Sequence, residues 1–84
     1  MPMNQQAVFD LIVQHTREVL PALQAQPVAF NDSLRALGAN SIDRSEILMM
    51  TLESLSLNIP LMEMARAENI GQLAGIIYER MAGA

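Results

Sequence analysis

The sequence predicts a small all-α domain, three longer helices and one short one, and three observations carry that reading. Apolar residues recur at helical spacing in three separate blocks. Capping residues stand just ahead of two of those blocks. No segment shows strand-like alternation, a hairpin turn, an internal repeat or a low-complexity tract. With 84 residues there is room for a single thin core, so residues 1–84 are read as one domain.

The first helix spans residues 5–20, where Val8, Phe9, Leu11, Ile12, Val13, Val19 and Leu20 keep helical spacing. Pro21 disfavours helical geometry at Leu20 and ends or kinks the helix there. Residues 21–40 form a long first connection holding Pro21, Pro27, Gly38 and the turn-prone Asn31-Asp32-Ser33. A loop of that length needs anchoring in a small domain. Val28, Phe30, Leu34 and Leu37 are suited to pin it to the core, and Asp32 or Ser33 to cap a helical turn through Leu37.

The second helix spans residues 42–55 and divides into two faces at about 100° per residue. Ile47, Leu48, Thr51, Leu52 and Leu55 make the face expected to be buried. Ile42, Asp43, Glu46, Met49, Met50 and Glu53 make the other, which mixes acids with exposed apolar residues as a helix offered to a partner's groove does. Leu57, Ile59 and Pro60 close the exit. A short helix is expected at residues 61–67, with at least one of Met62 and Met64 packed in or near the core. Asn69 and Gln72 form a capping pair for a last helix that carries Ile70, Leu73, Ala74, Ile76, Ile77 and Met81 and runs into a tail at Gly83. Tyr78 reads as a packing residue.

The most informative stretch is Leu37-Gly38-Ala39-Asn40-Ser41-Ile42-Asp43. Gly38 ends the loop, Asn40 is a good N-cap, and Asp43 follows three residues later. Ser41 then stands where unpaired backbone N–H groups and the positive end of the helix dipole favour an anionic group such as a phosphodiester. Asn-Ser at a helix start is also ordinary capping chemistry, and these seven residues alone leave both readings open.

Composition excludes several functions. There is no cysteine, hence no disulfide, thiolate nucleophile or sulfur metal site. There is no lysine for a Schiff base, and the single histidine, His15, falls on an apolar-rich helix that suggests a structural or surface role. No paired carboxylates suited to acid–base work are evident. The net charge is −4 and the five arginines, Arg17, Arg35, Arg44, Arg66 and Arg80, are dispersed, which argues against nucleic-acid binding. No apolar run nears the roughly 18 residues of a membrane span, and Met1-Pro2-Met3-Asn4 lacks the features of a signal peptide. A cytoplasmic, monomeric, non-enzymatic protein is expected.

The order of elements and the motif around Ser41 resemble the acyl carrier protein family. In that family a serine after Gly-x-Asp carries a phosphopantetheine arm; here Asn40 stands where Asp is usual. The resemblance implies a four-helix carrier bundle with a long first loop. It also implies 4'-phosphopantetheine on Ser41, attached by a phosphopantetheinyl transferase; the outward face of the second helix, through Ile42, Asp43, Glu46, Met49 and Glu53, is then expected to dock the partner enzymes. The arm's thiol explains how a cysteine-free chain holds an acyl thioester.

A narrower resemblance lies in residues 37–47 and 50–60, which look like the free-standing donor carriers of polyketide β-branching cassettes. It implies an acetyl cargo made from malonyl. The partners it implies are an acyltransferase, a ketosynthase-like decarboxylase and a hydroxymethylglutaryl-synthase-like enzyme. A generic fatty-acid or polyketide carrier, an accessory subunit, and a helical interaction module without a prosthetic group are the competing readings.

Overall fold

The computed structural model describes residues 3–82, so the expected Gly83 tail lies outside the described residues. Four α-helices follow in order: α1 at Gln5–Val19, α2 at Ser41–Leu55, α3 at Leu61–Met64 and α4 at Ile70–Ala82, with a 3₁₀ turn at Pro21–Leu23. The described residues contain no strand. The architecture is the expected one: three longer helices, a short one and a long first loop.

Helix α1 starts at an N-cap that pattern reading did not single out. Asn4 accepts the N–H of Ala7 at 2.8 Å. The helix ends one residue early, because Leu20 has left helical geometry ahead of Pro21. Its inner face buries Val8, Phe9, Ile12 and Val13, and it packs against both α2 and α4. Thr16 on α1 and Thr51 on α2 are fully buried. Each hydroxyl donates to the carbonyl four residues back, Ile12 at 2.7 Å and Ile47 at 2.8 Å. That bond makes a buried threonine tolerable in an apolar core.

The first loop is anchored to the core by the four residues expected, with Leu23 and Ala39 buried in addition. Leu23 and Ala39 join Leu34 in the interior, whereas Val28 and Leu37 are half-buried and Phe30 stays 41% exposed. Phe30 still pins the loop, its ring tilted against Phe9 with centroids 4.3 Å apart. Its carbonyl accepts the N–H of Gly71 at 2.8 Å. Glycine is needed there because a Cβ on Gly71 would lie 2.9 Å from the Phe30 ring. The loop thus runs against the start of α4, where the Asp32 carbonyl accepts the Ile70 N–H at 2.9 Å.

Ser33 caps the helical turn before the motif, accepting from the Ala36 N–H at 3.0 Å. Asp32 closes the preceding turn instead, accepting from Ala29 at 2.7 Å. The turn ends when Gly38 donates to Arg35 and Ala39 donates to Leu34. This paired closure requires the left-handed backbone that Gly38 adopts at φ 106°. The same closure ends α2, with Ser56 donating to Glu53 and Leu57 to Leu52. There a serine takes the left-handed position, at φ 55°.

Helix α3 is shorter than expected, ending at Met64 rather than at residue 67. It has no side-chain cap and packs on α4, to which the Glu63–Arg80 ion pair ties it. Met64 is the core methionine, 2% exposed, while Met62 is 84% exposed. Helix α4 is capped by Asn69, which accepts from Gln72 at 2.7 Å. The Gln72 side chain reaches back to the Glu68 N–H at 2.8 Å. Ile70, Leu73, Ala74 and Ile77 complete the core, and Tyr78 packs half-buried against it.

Candidate functional site

The site is assembled by the hydrogen bonds that start α2. Asn40 Oδ1 accepts the Asp43 N–H at 2.8 Å, and the Asp43 carboxylate accepts the Asn40 N–H at 3.2 Å. This reciprocal box satisfies two donors that a helix start otherwise leaves unpaired. Capping therefore falls to Asn40 and Asp43. Ser41 is the first residue of the helix and is exposed. Its position is held by its neighbours, with no demand on its own hydroxyl for the cap.

Asn40 fills the cap as well as an aspartate does, since both rank at the top for that position. It differs in charge. A neutral amide beside Ser41 leaves the helix dipole's positive end less compensated than a carboxylate would.

The residues expected at a docking face divide into two groups. Ile42 (75% exposed) and Met49 (61% exposed) project outward with the exposed acids Glu46 and Glu53. At 100° per residue these four cluster on one stripe of the helix. Asp43 lies round the helix from them, half-buried and engaged in the cap, and Met50 is half-buried beside it. Opposite, Ile47, Thr51 and Leu52 are buried, and Leu48 and Leu55 half-buried, as the two-face reading of α2 requires.

Ser41 also borders a cavity of about 500 Å³ between the first loop, α2 and the α3–α4 segment. Its apolar wall includes Leu34, Leu48, Leu61 and Met64, and its polar wall includes Arg35, Arg44 and Glu68. Arg44 was not singled out as a site residue from the sequence. The available signal was its spacing, one helical turn after Ser41.

His15 is not part of this site. It is buried between α1 and α2, with Nε2 at 3.0 Å from Ser54 Oγ and Nδ1 at 3.6 Å from the Glu18 carboxylate. That is the structural placement expected of it. Among the described residues no group of three or more His, Cys, Asp and Glu side chains is arranged to hold a metal ion. No helix is long and apolar enough to cross a membrane among those residues.

The all-helical bundle, three longer helices and a short one, is the fold of carrier domains. The phosphopantetheine attachment site family matches residues 10–77. The chain belongs to that family, the acyl carrier proteins, whose domain attaches 4'-phosphopantetheine covalently to a serine. It is 42% identical to the polyketide biosynthesis acyl-carrier-protein AcpK of Bacillus subtilis (strain 168), over 98% of this chain and 100% of that protein. Among solved structures it is similar to a chain in the crystal structure of the curacin biosynthetic pathway HMG synthase in complex with acetyl donor-ACP. The TM-score is 0.88 and the identity 45%, over 92% of this chain and 99% of that one.

Proposed function

We propose that Ser41 is the attachment point of the phosphopantetheine arm and that the protein is a non-catalytic donor carrier. Its expected cargo is an acetyl unit derived from malonyl, delivered for β-branching in polyketide biosynthesis. The observation that carries the attachment site is the division of labour at α2: Asn40 and Asp43 hold the cap while the adjoining serine is exposed. When bound, the arm supplies the thiol that this cysteine-free chain lacks. The residues present suit it, since Ser41 offers an open hydroxyl at a helix start, and that end of the helix favours an anion.

The chain's own part in loading is to present the hydroxyl. The single imidazole, His15, is buried against Ser54, so the serine proton goes to a base of the phosphopantetheinyl transferase. The stripe of Ile42, Met49, Glu46 and Glu53 then meets partner enzymes. Exposed apolar side chains anchor, and the acids steer and orient. Asp43 adds charge near Ser41 while serving the cap.

The donor role draws on resemblance to two proteins, the polyketide carrier and the acetyl donor carrier bound to an HMG synthase. The physical rationale is selectivity. A branching enzyme must tell donor from acceptor carriers that bear the same arm, so protein surface has to discriminate. The partners proposed are an acyltransferase, a ketosynthase-like decarboxylase and a hydroxymethylglutaryl-synthase-like enzyme, with the protein acting as a cytoplasmic monomer.

Intact mass after incubation with a phosphopantetheinyl transferase and coenzyme A tests the attachment site. Wild type is expected to gain the arm and Ser41→Ala to gain nothing; a Ser41→Ala protein that still gains it would overturn the assignment. For the donor role, the acetyl-loaded protein is offered to a hydroxymethylglutaryl-synthase-like enzyme with an acetoacetyl-loaded acceptor carrier. An acetyl-loaded fatty-acid carrier serves as control. Equal or faster turnover from the control would reduce the protein to a generic acyl carrier.

A further inference from the structure

We infer that Arg44 is a positioning residue for the arm, its guanidinium holding the phosphodiester on Ser41 toward the cavity and away from the Ile42–Met49 stripe. The inference rests on Ser41 being the attachment point and deepens that reading.

Arg44 follows Ser41 by three residues on α2, a separation that puts Cβ atoms about 5–6 Å apart on one side of a helix. Helical side chains lean toward the N-terminus, so Arg44 lies over the turn that contains Ser41. A hydrogen bond shows how far it leans. One terminal nitrogen of the guanidinium donates to the Ala39 carbonyl at 2.9 Å, two residues before the serine. The half-buried side chain is thus drawn back toward the start of the helix and held at the Ala39 carbonyl.

A guanidinium has five N–H donors in a planar fork, and the Ala39 carbonyl accepts from one of its nitrogens. Among the described residues the ion pairs are His15–Glu18 and Glu63–Arg80, and Arg44 is in neither. Its formal charge therefore has no carboxylate partner within 4 Å among those residues, although it lines the same cavity as Ser41. The other charged groups on that cavity are Arg35, which is exposed, and Glu68. A phosphodiester on the Ser41 oxygen would bring an anion to the cavity that the fork already borders. Anchoring to Ala39 lowers the rotamer entropy lost on engaging it, which favours Arg44 over the exposed Arg35.

The consequence is directional. Ser41, Arg44, Ser45 and Leu48 share the cavity, while Ile42, Glu46, Met49 and Glu53 share another stripe. An arm held at its root by Arg44 leaves the docking stripe uncovered until a partner enzyme draws the arm out.

The test compares apo and holo protein by arginine side-chain ¹⁵N and phosphodiester ³¹P magnetic resonance. On loading, the Arg44 Nε–H resonance is expected to shift and exchange more slowly with water, while those of Arg66 and Arg80 stay in place. The holo ³¹P resonance should differ from that of the same arm on the urea-unfolded chain. Arg44→Gln should move it back toward the unfolded value, the helix start still contributing, and Arg44→Lys, which keeps the charge and loses the fork, should restore part of the displacement. An Arg44 resonance indifferent to loading would overturn the inference, and this readout needs no variant. So would a ³¹P resonance unchanged by Arg44→Gln in a protein whose amide spectrum shows it folded. Failure of the underlying reading appears separately and earlier, as a wild type that gains no arm mass or a Ser41→Ala protein that gains it.

Discussion

Ile42 and Ile47 sit five residues apart on α2 and have opposite fates. Ile47 is 0% exposed, and Ile42 is the most exposed residue of its type on that helix, at 75%. The difference is one of position round the axis, about 140° between them at 100° per residue. One face of α2 meets α1 and the core, and the other meets solvent. Burying an aliphatic side chain contributes about 1.5–3 kcal/mol, and leaving one in water forgoes that gain. An isoleucine and a methionine kept outward among acids therefore add little to the fold. The docking role proposed for them is where such side chains would add free energy.

The largest expected effect tests the inner face. Ile47→Ala should cost about 2–5 kcal/mol, because it opens a cavity where α2 meets the rest of the core. That is a large share of the stability of so small a domain, and urea denaturation would show it as an earlier midpoint at an unchanged slope.

The outer face should respond in the opposite way. Ile42→Ala or Met49→Ala should leave stability within about 0.5 kcal/mol. Each should slow acyl transfer to a partner enzyme roughly tenfold, as loss of an interface anchor of more than 1 kcal/mol does. Glu53→Lys should lower the association rate and flatten its dependence on salt. If Ile42→Ala melted the domain as Ile47→Ala does, or if all three outer variants turned over normally, the two faces would not be divided as described.

Smaller effects probe the two ends of the same helix. Asn40→Ala removes the cap and should cost about 1 kcal/mol by thermal or chemical denaturation, whereas Asn40→Asp should be close to neutral for the cap. At the other end, Ser56 holds a left-handed backbone that costs a non-glycine residue about 1–2 kcal/mol. Ser56→Gly should recover part of this, a net gain on the order of 0.5 kcal/mol after the added chain entropy of glycine. A loss of stability in that variant would mean the serine side chain holds the turn by a contact stronger than the strain.

Local patterns were legible wherever the physics is local. A cap, its partner three residues on and the helix they start lie within one short segment, so Asn40 with Asp43 and Asn69 with Gln72 could be placed by eye. The same holds for the turn at Gly38 and for the two faces of α2. A whole-chain resemblance then pointed to the serine. The residues proposed for docking were legible as an exposed stripe, except that Asp43 lies round the helix, half-buried, and serves the cap.

What the tertiary structure alone decided are the outcomes that depend on contacts between segments distant in sequence. Met62 and Met64 are the same residue type two positions apart, and only the packing of α3 on α4 puts one in water and the other in the core. Phe30 had the character of a core residue, yet it anchors the loop from the rim, by its ring on Phe9 and its carbonyl on Gly71. The last turn expected of α3 is a non-helical turn instead, with Ala67 donating to Met64 just ahead of the Asn69 cap of α4. Arg44 reads in sequence as one dispersed charge among five; its bond back to Ala39 and its place on a cavity wall contributed by three separate segments appear only in the fold. Helix starts and periodic faces follow from neighbours along the chain. Burial and the direction of a long side chain follow from neighbours in space.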